Sequence, residues 1–375
     1  MIFFRPGSQA RRLIEILAVT GEFPVSSLYL FGSQRTMREL VSRMSTTHQY
    51  RNPETGETVS CRLLTITGRR RNKGVRLLKS ALPILDWSGA REFYQAAWLE
   101  HNLPGDASHR EPRFRYAEAA LMLIRAGVEV RPWRLPPLQT ELGRPLLPDW
   151  ASFYSSRELK NLQDGELRKI QYVRMSGAVL SRFGGMTVYN TRDAVLKWNG
   201  DGEFKASLRM SELARFNTQA KSVNSAILFG KSEDVALRTI EALQKSRRYD
   251  IRFNSVYRLI HFVPLCEDGI DQLRLLLLPD WNERLLSVMF YPEHRSYNTG
   301  CFAYDAFVDG VYVFEFFDGD IARLELFRFG ISDRNVRCSV LCFPFQVGLV
   351  RRVLGDRVEI VPYEPRTVLE AVGAI

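Results

Sequence analysis

The sequence has no apolar run that approaches the ~20 residues needed by a membrane-spanning helix. Its N-terminal apolar stretch is too short for a signal peptide, and the charge lies on the wrong side of it. Its five cysteines are odd in number and scattered over a long chain, so a disulfide framework is not expected. These absences predict a cytoplasmic protein without a membrane partner.

Histidine is equally sparse, and its spacing argues against one class of enzyme. None of the five histidines lies two positions from another, so the His-hydrophobe-His metal motif of rolling-circle initiators and relaxases is missing. Cys338 and Cys342 have no histidine at zinc spacing, which favours buried thiols. Gly230-Lys231-Ser232 lacks the upstream glycine of a phosphate loop, because Ser225 stands in its place. No cofactor is expected, apart from Mg²⁺ if the nuclease considered below is correct.

Positive charge, by contrast, is concentrated in one part of the chain. Residues 1–80 contain 14 Lys and Arg against 5 Asp and Glu, while the net charge of all 375 residues is +10. The remaining residues are therefore almost neutral. A small basic unit attached to a neutral one indicates a polyanion-binding module, and double-stranded DNA is the first partner to consider. The alternative is a basic face that is only solvated.

The hydrophobic pattern of this basic unit favours a helix-turn-helix. One helix begins near Gln9 and stops at Gly21, and Pro24 occupies the first position of a short second helix. Ser33 can cap a third helix that runs to Met44.

The third helix has two distinct faces. At 100° per residue, its inward stripe consists of Met37, Leu40, Val41 and Met44. The opposite face carries Arg35, Arg38, Glu39 and Ser42. Two arginines on the exposed face suit contact with the major groove, where Glu39 is tolerable if it pairs with an arginine.

A β-hairpin is expected next, with strands over 49–51 and 58–67 and a turn over 52–57. It would be the wing of a winged helix. Glu54 and Glu57 make its tip poorly suited to a minor groove. The basic side chains at its base would hold phosphates without reading sequence. They are Arg62, Arg69, Arg70, Arg71 and Lys73.

The rest of the chain predicts a mixed α/β fold. We expect a winged helix-turn-helix over 1–82, a helical connector over 83–147, and an α/β domain over 148–375. From about residue 150, strand-like and helical segments alternate, which is typical of an α/β domain. That domain could be nuclease-like in fold and inactive.

The best catalytic candidate is Asp149 after a proline, followed by Glu158 and Lys160 in a strand-like segment over 152–159. This pattern resembles the restriction-nuclease motif, in which two carboxylates hold Mg²⁺ and the lysine assists the attacking water. Asp149 and Glu158 would be the metal ligands. A further match, Asp280 with Glu315, is discounted because Phe317 replaces the lysine.

Several short blocks carry a family resemblance. The predicted wing ends Leu64-Thr65-Ile66-Thr67-Gly68, and with the helical and α/β segments after it this resembles the replication-relaxation proteins of Gram-positive plasmids and integrative conjugative elements. Three more blocks look like proteins of such elements: Arg157-Glu158-Leu159-Lys160, Tyr189-Asn190-Thr191 and Lys197-Trp198. The resemblance implies a role in plasmid replication, DNA relaxation or conjugative transfer, alongside replication or conjugation proteins.

Three functions are open on the sequence. The first is sequence-specific binding of duplex DNA in a mobile genetic element, by a chain that could form a homodimer. The second is a Mg²⁺-dependent nuclease that uses Asp149, Glu158 and Lys160. The third is a transcriptional regulator whose C-terminal part dimerises or senses a ligand.

Overall fold

The fold is mixed α/β with several sheets. A computed structural model describes residues 2–98, 110–130, 147–161, 175–195, 201–217, 224–245, 256–296, 302–332 and 334–375. The chain divides into two compact units. The first unit comprises Met1–Pro137, Ser152–Gln163 and Ser176–Ala178, and the second comprises Leu138–Ala151, Asp164–Met175 and Val179–Ile375. None of the described helices is long and apolar enough to cross a membrane.

The first unit mixes short strands with helices. Its helices are α1 (Gln9–Thr20), α2 (Gln34–Met44), α3 (Leu82–Ser88), α4 (Arg91–Ala97), α5 (Arg110–Arg125) and α6 (Ser156–Asn161). Its strands are β1 (Ile2–Phe3), β2 (Glu22–Pro24), β3 (His48–Arg51), β4 (Thr58–Cys61), β5 (Leu64–Thr67), β6 (Gly74–Leu77) and β7 (Ser152–Ser155). A 3₁₀ helix, Val25–Phe31, connects β2 to α2.

The first helix and its ends follow the predicted pattern. The Ser8 hydroxyl accepts a hydrogen bond from the Arg11 amide at 3.3 Å, which caps the start of α1. The helix ends at Gly21, whose φ of +73° suits glycine. Its inward side chains, Leu13 among them, are fully buried.

The third predicted helix is also confirmed, as α2. Ser33 caps it by accepting from the Thr36 amide at 3.5 Å. Met37, Val41 and Met44 are buried, whereas Leu40 is only half-buried. The second helix differs from expectation, because it is a 3₁₀ helix and Pro24 belongs to strand β2.

The predicted single strand over 58–67 is wrong. The chain breaks at Arg62 and Leu63 into β4 and β5, which belong to different sheets. One sheet has the order β1-β3-β4, and its β3-β4 hairpin is the one that the sequence predicts. The other has the order β2-β6-β5, with β6 antiparallel to both neighbours. A second hairpin, β5-β6, therefore follows the first, and its turn spans residues 68–73.

The segment predicted as a helical connector over 83–147 differs as far as it is described. Helices α4 and α5 pack against α1 within the first unit. The Trp98 indole donates to the Ala18 carbonyl at 3.1 Å, and Arg125 donates to the Leu30 carbonyl at 2.7 Å. These contacts make the helices part of the basic unit. Residues 99–109 and 131–146 of the expected connector lie outside the described residues.

The second unit alternates strands and helices, as predicted. Its strands are β9 (Gly184–Arg192), β10 (Ser225–Gly230), β11 (Leu259–Pro264), β12 (Ala306–Val308), β13 (Val311–Glu315), β14 (Arg337–Cys342) and β15 (Glu359–Pro362), together with part of β8 (Met175–Ser181), whose residues Ser176–Ala178 are assigned to the first unit. Its helices are α7 (Asp201–Asn217), α8 (Glu233–Lys245), α9 (Glu267–Leu276), α10 (Trp281–Met289), α11 (Ile321–Ser332), α12 (Val347–Leu354) and α13 (Pro365–Val372).

Two sheets organise this unit. One contains the run β11-β10-β9-β8, in which β10 is parallel to both β9 and β11. The other has the order β12-β13-β14-β15, in which β12-β13 is an antiparallel hairpin and the other pairs are parallel. Phenylalanines around β13 and β14, including Phe314, Phe317 and Phe343, are fully buried and form much of the core beside the second sheet.

Candidate functional site

The turn between β5 and β6, residues 68–73, is the basic turn. It carries four exposed basic side chains: Arg69, Arg70, Arg71 and Lys73. In the part of the chain that the structure describes, none of the four has an acidic partner. Unpaired guanidinium and ammonium groups on an exposed turn are free to bind phosphate oxygens.

The backbone of the basic turn has a constrained shape. Gly68 has a φ of +83°, and a Cβ there would lie 2.2 Å from the Asn72 carbonyl oxygen, so only glycine fits. Arg70 has a φ of +51°, which is uncommon for a residue with a side chain. Arg110 of α5 donates to the Asn72 carbonyl and to the Thr67 hydroxyl, each at 3.3 Å. The two hydrogen bonds from Arg110 therefore fix the basic turn to helix α5.

A buried ion network lies beneath the basic turn. The Glu22 carboxylate of β2 is fully buried and receives Arg76 at 2.9 Å, Arg110 at 3.1 Å and Arg113 at 3.2 Å. The Thr67 hydroxyl donates to the same carboxylate at 3.0 Å. One carboxylate thus connects β2, β5, β6 and α5.

The charge state of Glu22 follows from these partners. Burial alone would raise the pKa of Glu22, but the hydrogen bond and charge of Arg76, the charge of Arg110 and the Thr67 hydrogen bond together hold it below its usual value. Gly74 makes room for this carboxylate, since a Cβ there would lie 2.4 Å from Glu22 Oε1.

Helix α2 presents the other candidate residues. Arg35, Arg38 and Ser42 are exposed, as the sequence predicts. Arg35 pairs with Glu39 at 3.1 Å, but the Arg35 side chain is 89% exposed and the Glu39 side chain is 64% exposed. An exposed pair of this kind contributes at most about 1 kcal/mol, so Arg35 can exchange Glu39 for a phosphate.

The remaining predicted phosphate contact, Arg62, is partly committed to the protein. Its side chain is exposed, yet its guanidinium donates to the Leu64 carbonyl at 3.1 Å and to the Thr65 hydroxyl at 3.4 Å. Arg62 therefore braces the link from β4 to β5.

The acidic turn of the first hairpin, residues 52–57, makes one contact with the rest of the protein through Glu57. Glu57 accepts a hydrogen bond from the Trp87 indole of α3 at 2.8 Å, and Trp87 packs edge-on against Phe4. The acidic tip that the sequence assigns to a wing is thereby attached to the protein itself.

The nuclease motif predicted from sequence is not built as expected. Glu158 and Lys160 lie in helix α6, because strand β7 ends at Ser155. Glu158 accepts from the Ser155 amide and hydroxyl, each at 2.9 Å, and its own amide donates to the Ser155 hydroxyl at 3.2 Å. This reciprocal pair is a capping box. The strand position of the motif is therefore wrong.

Asp149, the first carboxylate of that motif, has an ion-pair partner of its own. Asp149 belongs to the second unit, is exposed and pairs with Arg182 at 3.0 Å. Glu158 belongs to the first unit. The side chain of Lys160 lies outside the described residues.

A different group of acids converges in the second unit. The carboxylate cluster consists of Asp305, Glu315, Asp318 and Asp320, all buried. Arg323, in the first turn of α11, forms a close ion pair with Asp305 and lies 3.7 Å from Glu315 Oε2 and 3.9 Å from Asp318 Oδ2. The guanidinium also lies over the Phe314 ring at 5.0 Å.

The β12-β13 hairpin and the loop after it bring these acids together. The Asp305 amide donates to the Val313 carbonyl at 2.8 Å, and the Glu315 amide donates to the Asp305 carboxylate at 2.7 Å. Asp320 Oδ1 accepts the amides of Ile260, Ala322 and Arg323 at 3.0 to 3.3 Å, so it caps α11 and joins it to β11. Sequence reasoning paired Glu315 with Asp280, whereas its neighbour is Asp305.

The pKa directions within the cluster differ. Burial, and then the charges of Asp318 and Asp305, raise the pKa of Glu315 well above its usual value. Burial also raises the pKa of Asp305 and of Asp320. Burial would raise the pKa of Asp318 too, but the buried His261, 3.4 Å away, and Arg323 hold it below its usual value. Acids outnumber the neighbouring cationic groups.

Comparisons with known proteins add no assignment. No protein-family model, curated protein or solved structure matches the chain. The resemblance to replication-relaxation proteins therefore stays a prediction from short sequence blocks. Function must be argued from the geometry of the two units.

Proposed function

We propose that the first unit is a winged helix-turn-helix that binds duplex DNA. Helix α2 would be the recognition helix, with Arg35, Arg38 and Ser42 facing the major groove. The basic turn would be the wing tip, holding phosphates or entering the adjacent minor groove. The observation that carries the proposal is the basic turn itself, which has four exposed cationic side chains.

The order of elements supports this assignment. A winged helix has a helix, a short strand, two further helical segments and a hairpin whose second strand pairs with the short strand. The first unit has α1, β2, the 3₁₀ helix, α2 and the β5-β6 hairpin, with the sheet order β2-β6-β5. The wing is thus proposed one hairpin later than the sequence analysis placed it.

The wider role is proposed on sequence alone. We place this DNA binding in the cytoplasm, in replication, relaxation or conjugative transfer of a mobile element, where replication or conjugation proteins would be partners. The transcriptional regulator remains the alternative. The nuclease at Asp149, Glu158 and Lys160 gains no support, because the described acids serve an ion pair and a helix cap.

The proposal is tested by duplex binding of the full chain across a salt series, measured by fluorescence anisotropy. Arg69→Ala with Arg71→Ala removes two cationic groups from the basic turn without touching the Glu22 network. We expect affinity to fall and the slope of log K against log salt to flatten by about 0.9 for each lost phosphate contact.

A matched control removes the same charge elsewhere. Arg337 and Arg351 are exposed arginines of the second unit. Arg337→Ala with Arg351→Ala should leave both affinity and slope unchanged. Equal losses in the two double variants would mean that net charge alone attracts DNA, and no binding by the wild-type chain would remove the proposal.

A further inference from the structure

A cavity of about 210 Å³ in the second unit lies where the carboxyl ends of strands from both sheets meet. Its lining comes mainly from the segments after β10, β11, β13 and β14, and from helices α8, α9 and α12. The strands β10 and β11 are parallel, as are β13 and β14. In α/β sheets, ligands bind in the crevice outside the carboxyl ends of parallel strands. The position of the cavity therefore favours a ligand site.

Two buried glutamines line this cavity, and they differ in their hydrogen bonds. Gln346 has both of its amide atoms hydrogen-bonded to backbone groups. Gln272 uses only its nitrogen, which donates to the carbonyls of Phe262 and Asp318, each at 2.8 Å. Its Oε1 accepts no hydrogen bond from a described group, although Gln272 is fully buried.

The orientation of the Gln272 amide is fixed by its neighbours. Both carbonyl oxygens require a donor, so the nitrogen must lie on their side and the amide oxygen is left without a partner. Gly319 makes room for this arrangement, since a Cβ there would lie 2.3 Å from Gln272 Nε2. A buried acceptor that is left unused costs free energy. A ligand that donates a hydrogen bond to Gln272 Oε1 would therefore be stabilised.

The walls of the cavity select the shape and size of the ligand. Phe262, Phe316 and Phe345 line it, so a flat aromatic ring can pack against them. A cavity of about 150 Å³ in another protein holds benzene. The volume here, about 210 Å³, therefore suits a two-ring molecule of about the size of a purine.

The charges at the cavity disfavour an anion. Lys231, in the turn that partly matches a phosphate loop, pairs with Asp193 at 3.0 Å. Glu233 and Asp268 contribute carboxylates to the lining. The Glu233 carboxylate lies against the first turn of α12, where a Cβ on Gly348 would be 2.7 Å from both of its oxygens. The positive end of that helix is thus already matched by an acid, and a neutral ligand fits better than a phosphate.

We propose that this cavity binds a neutral, purine-sized aromatic ring that carries an amino group. The ring packs among the three phenylalanines, and the amino group donates a hydrogen bond to Gln272 Oε1. All the lining residues belong to the second unit, so the proposal does not depend on DNA binding by the first unit.

The test uses two probe rings that have no ring N–H, 2-amino-9-methylpurine and 9-methylpurine. Binding of the first to the full chain is followed by its fluorescence, which is quenched when the ring stacks on aromatic side chains, and binding of the second is followed by competition. We expect wild type to bind the amino compound with a Kd below about 1 mM, a modest affinity for a ligand of this size. The compound without the amino group should bind about tenfold more weakly, because it leaves Gln272 Oε1 unpaired.

Two variants locate the bound ring. Gln272→Met removes the acceptor, so the two probes should bind it with equal affinity. Ser232 lines the cavity and is exposed, so Ser232→Trp should obstruct it and weaken binding of the amino compound at least about tenfold. Ser287→Trp, an equally large change at an exposed position of α10 away from the cavity, is the matched control and should bind like wild type.

The outcome does not rest on the folding of Gln272→Met, because wild type and Ser232→Trp carry the test without it. Equal affinities of wild type for the two probes would overturn the proposal. Binding of the amino compound by a folded Ser232→Trp as tightly as by Ser287→Trp would overturn it as well.

Discussion

The two units bury ion networks of opposite composition. In the first unit, one carboxylate, Glu22, receives three guanidinium groups within 3.2 Å. In the second unit, one guanidinium, Arg323, lies among three carboxylates at up to 3.9 Å. The side chains of Glu22 and Glu315 are both fully buried, yet the pKa of Glu22 is lowered and that of Glu315 is raised.

This contrast teaches that partners, more than burial, decide what a buried acid does. Glu22 is ionised and saturated by its arginines, so it fixes the strands and the helix below the basic turn. Glu315 has acidic neighbours and one distant cation, so its environment disfavours the charged form. The first network suits a rigid scaffold, whereas the second keeps Glu315 in an environment that favours its neutral form.

The largest expected effect on stability comes from Glu22→Gln, and Glu315→Gln is the matching change in the second unit. Glu22→Gln leaves three partly buried guanidinium groups without their anion, and should lower the free energy of unfolding of the first unit by about 3 kcal/mol or more. Glu315→Gln replaces an acid whose raised pKa favours the neutral form, and should cost less than about 1 kcal/mol at neutral pH. Urea unfolding, resolved by hydrogen exchange of peptides from each unit, measures both.

An exposed pair provides the control for this comparison. Glu15 pairs with Arg11 on α1 at 2.8 Å and is 40% exposed, so Glu15→Gln should change stability by no more than about 1 kcal/mol. A loss for Glu22→Gln as small as that for Glu15→Gln would contradict the structural role of the Glu22 network.

We expect a smaller effect of pH on the free energy of unfolding, and its sign should be opposite for Glu22 and for Glu315. Because the pKa of Glu22 is lowered by folding, its contribution is complete above the usual glutamate pKa of about 4.3 and disappears as pH falls through the folded value. Because the pKa of Glu315 is raised, its contribution is complete below about 4.3 and disappears as pH rises through the folded value.

The measurement is the difference in stability between wild type and each Gln variant as a function of pH. The Glu22 difference should shrink on acidification, and the Glu315 difference should shrink, or reverse sign, on alkalisation. The same pH trend for both residues would break the comparison between the two networks.

The sequence predicted the helical part of the first unit better than its strands. Helix periodicity and capping residues identify α1 and α2, because these signals are local. The strand break at Arg62 and Leu63 was missed, since β4 and β5 join different sheets only through long-range pairing. Gly68, which opens the basic turn, and Gly74, which follows it, were the available sequence signal for a second hairpin.

The acidic residues were harder to assign. Ser155 and Glu158 have the spacing of a capping box, which competes with any Glu-x-Lys motif and could have been recognised. Glu315 was noticed but given Asp280 as its partner. Asp305 is brought to it by the β12-β13 pairing, and Arg323 by the following helix, so neither follows from sequence spacing alone.

The most direct test of the central claim is hydrogen exchange of the full chain with and without a duplex, at low salt. We expect DNA to slow exchange in α2 and in the basic turn at residues 68–73, with little change in the acidic turn at residues 52–57. Binding that leaves α2 and the basic turn unprotected, while slowing exchange elsewhere, would contradict the assignment of the first unit as a winged helix on DNA.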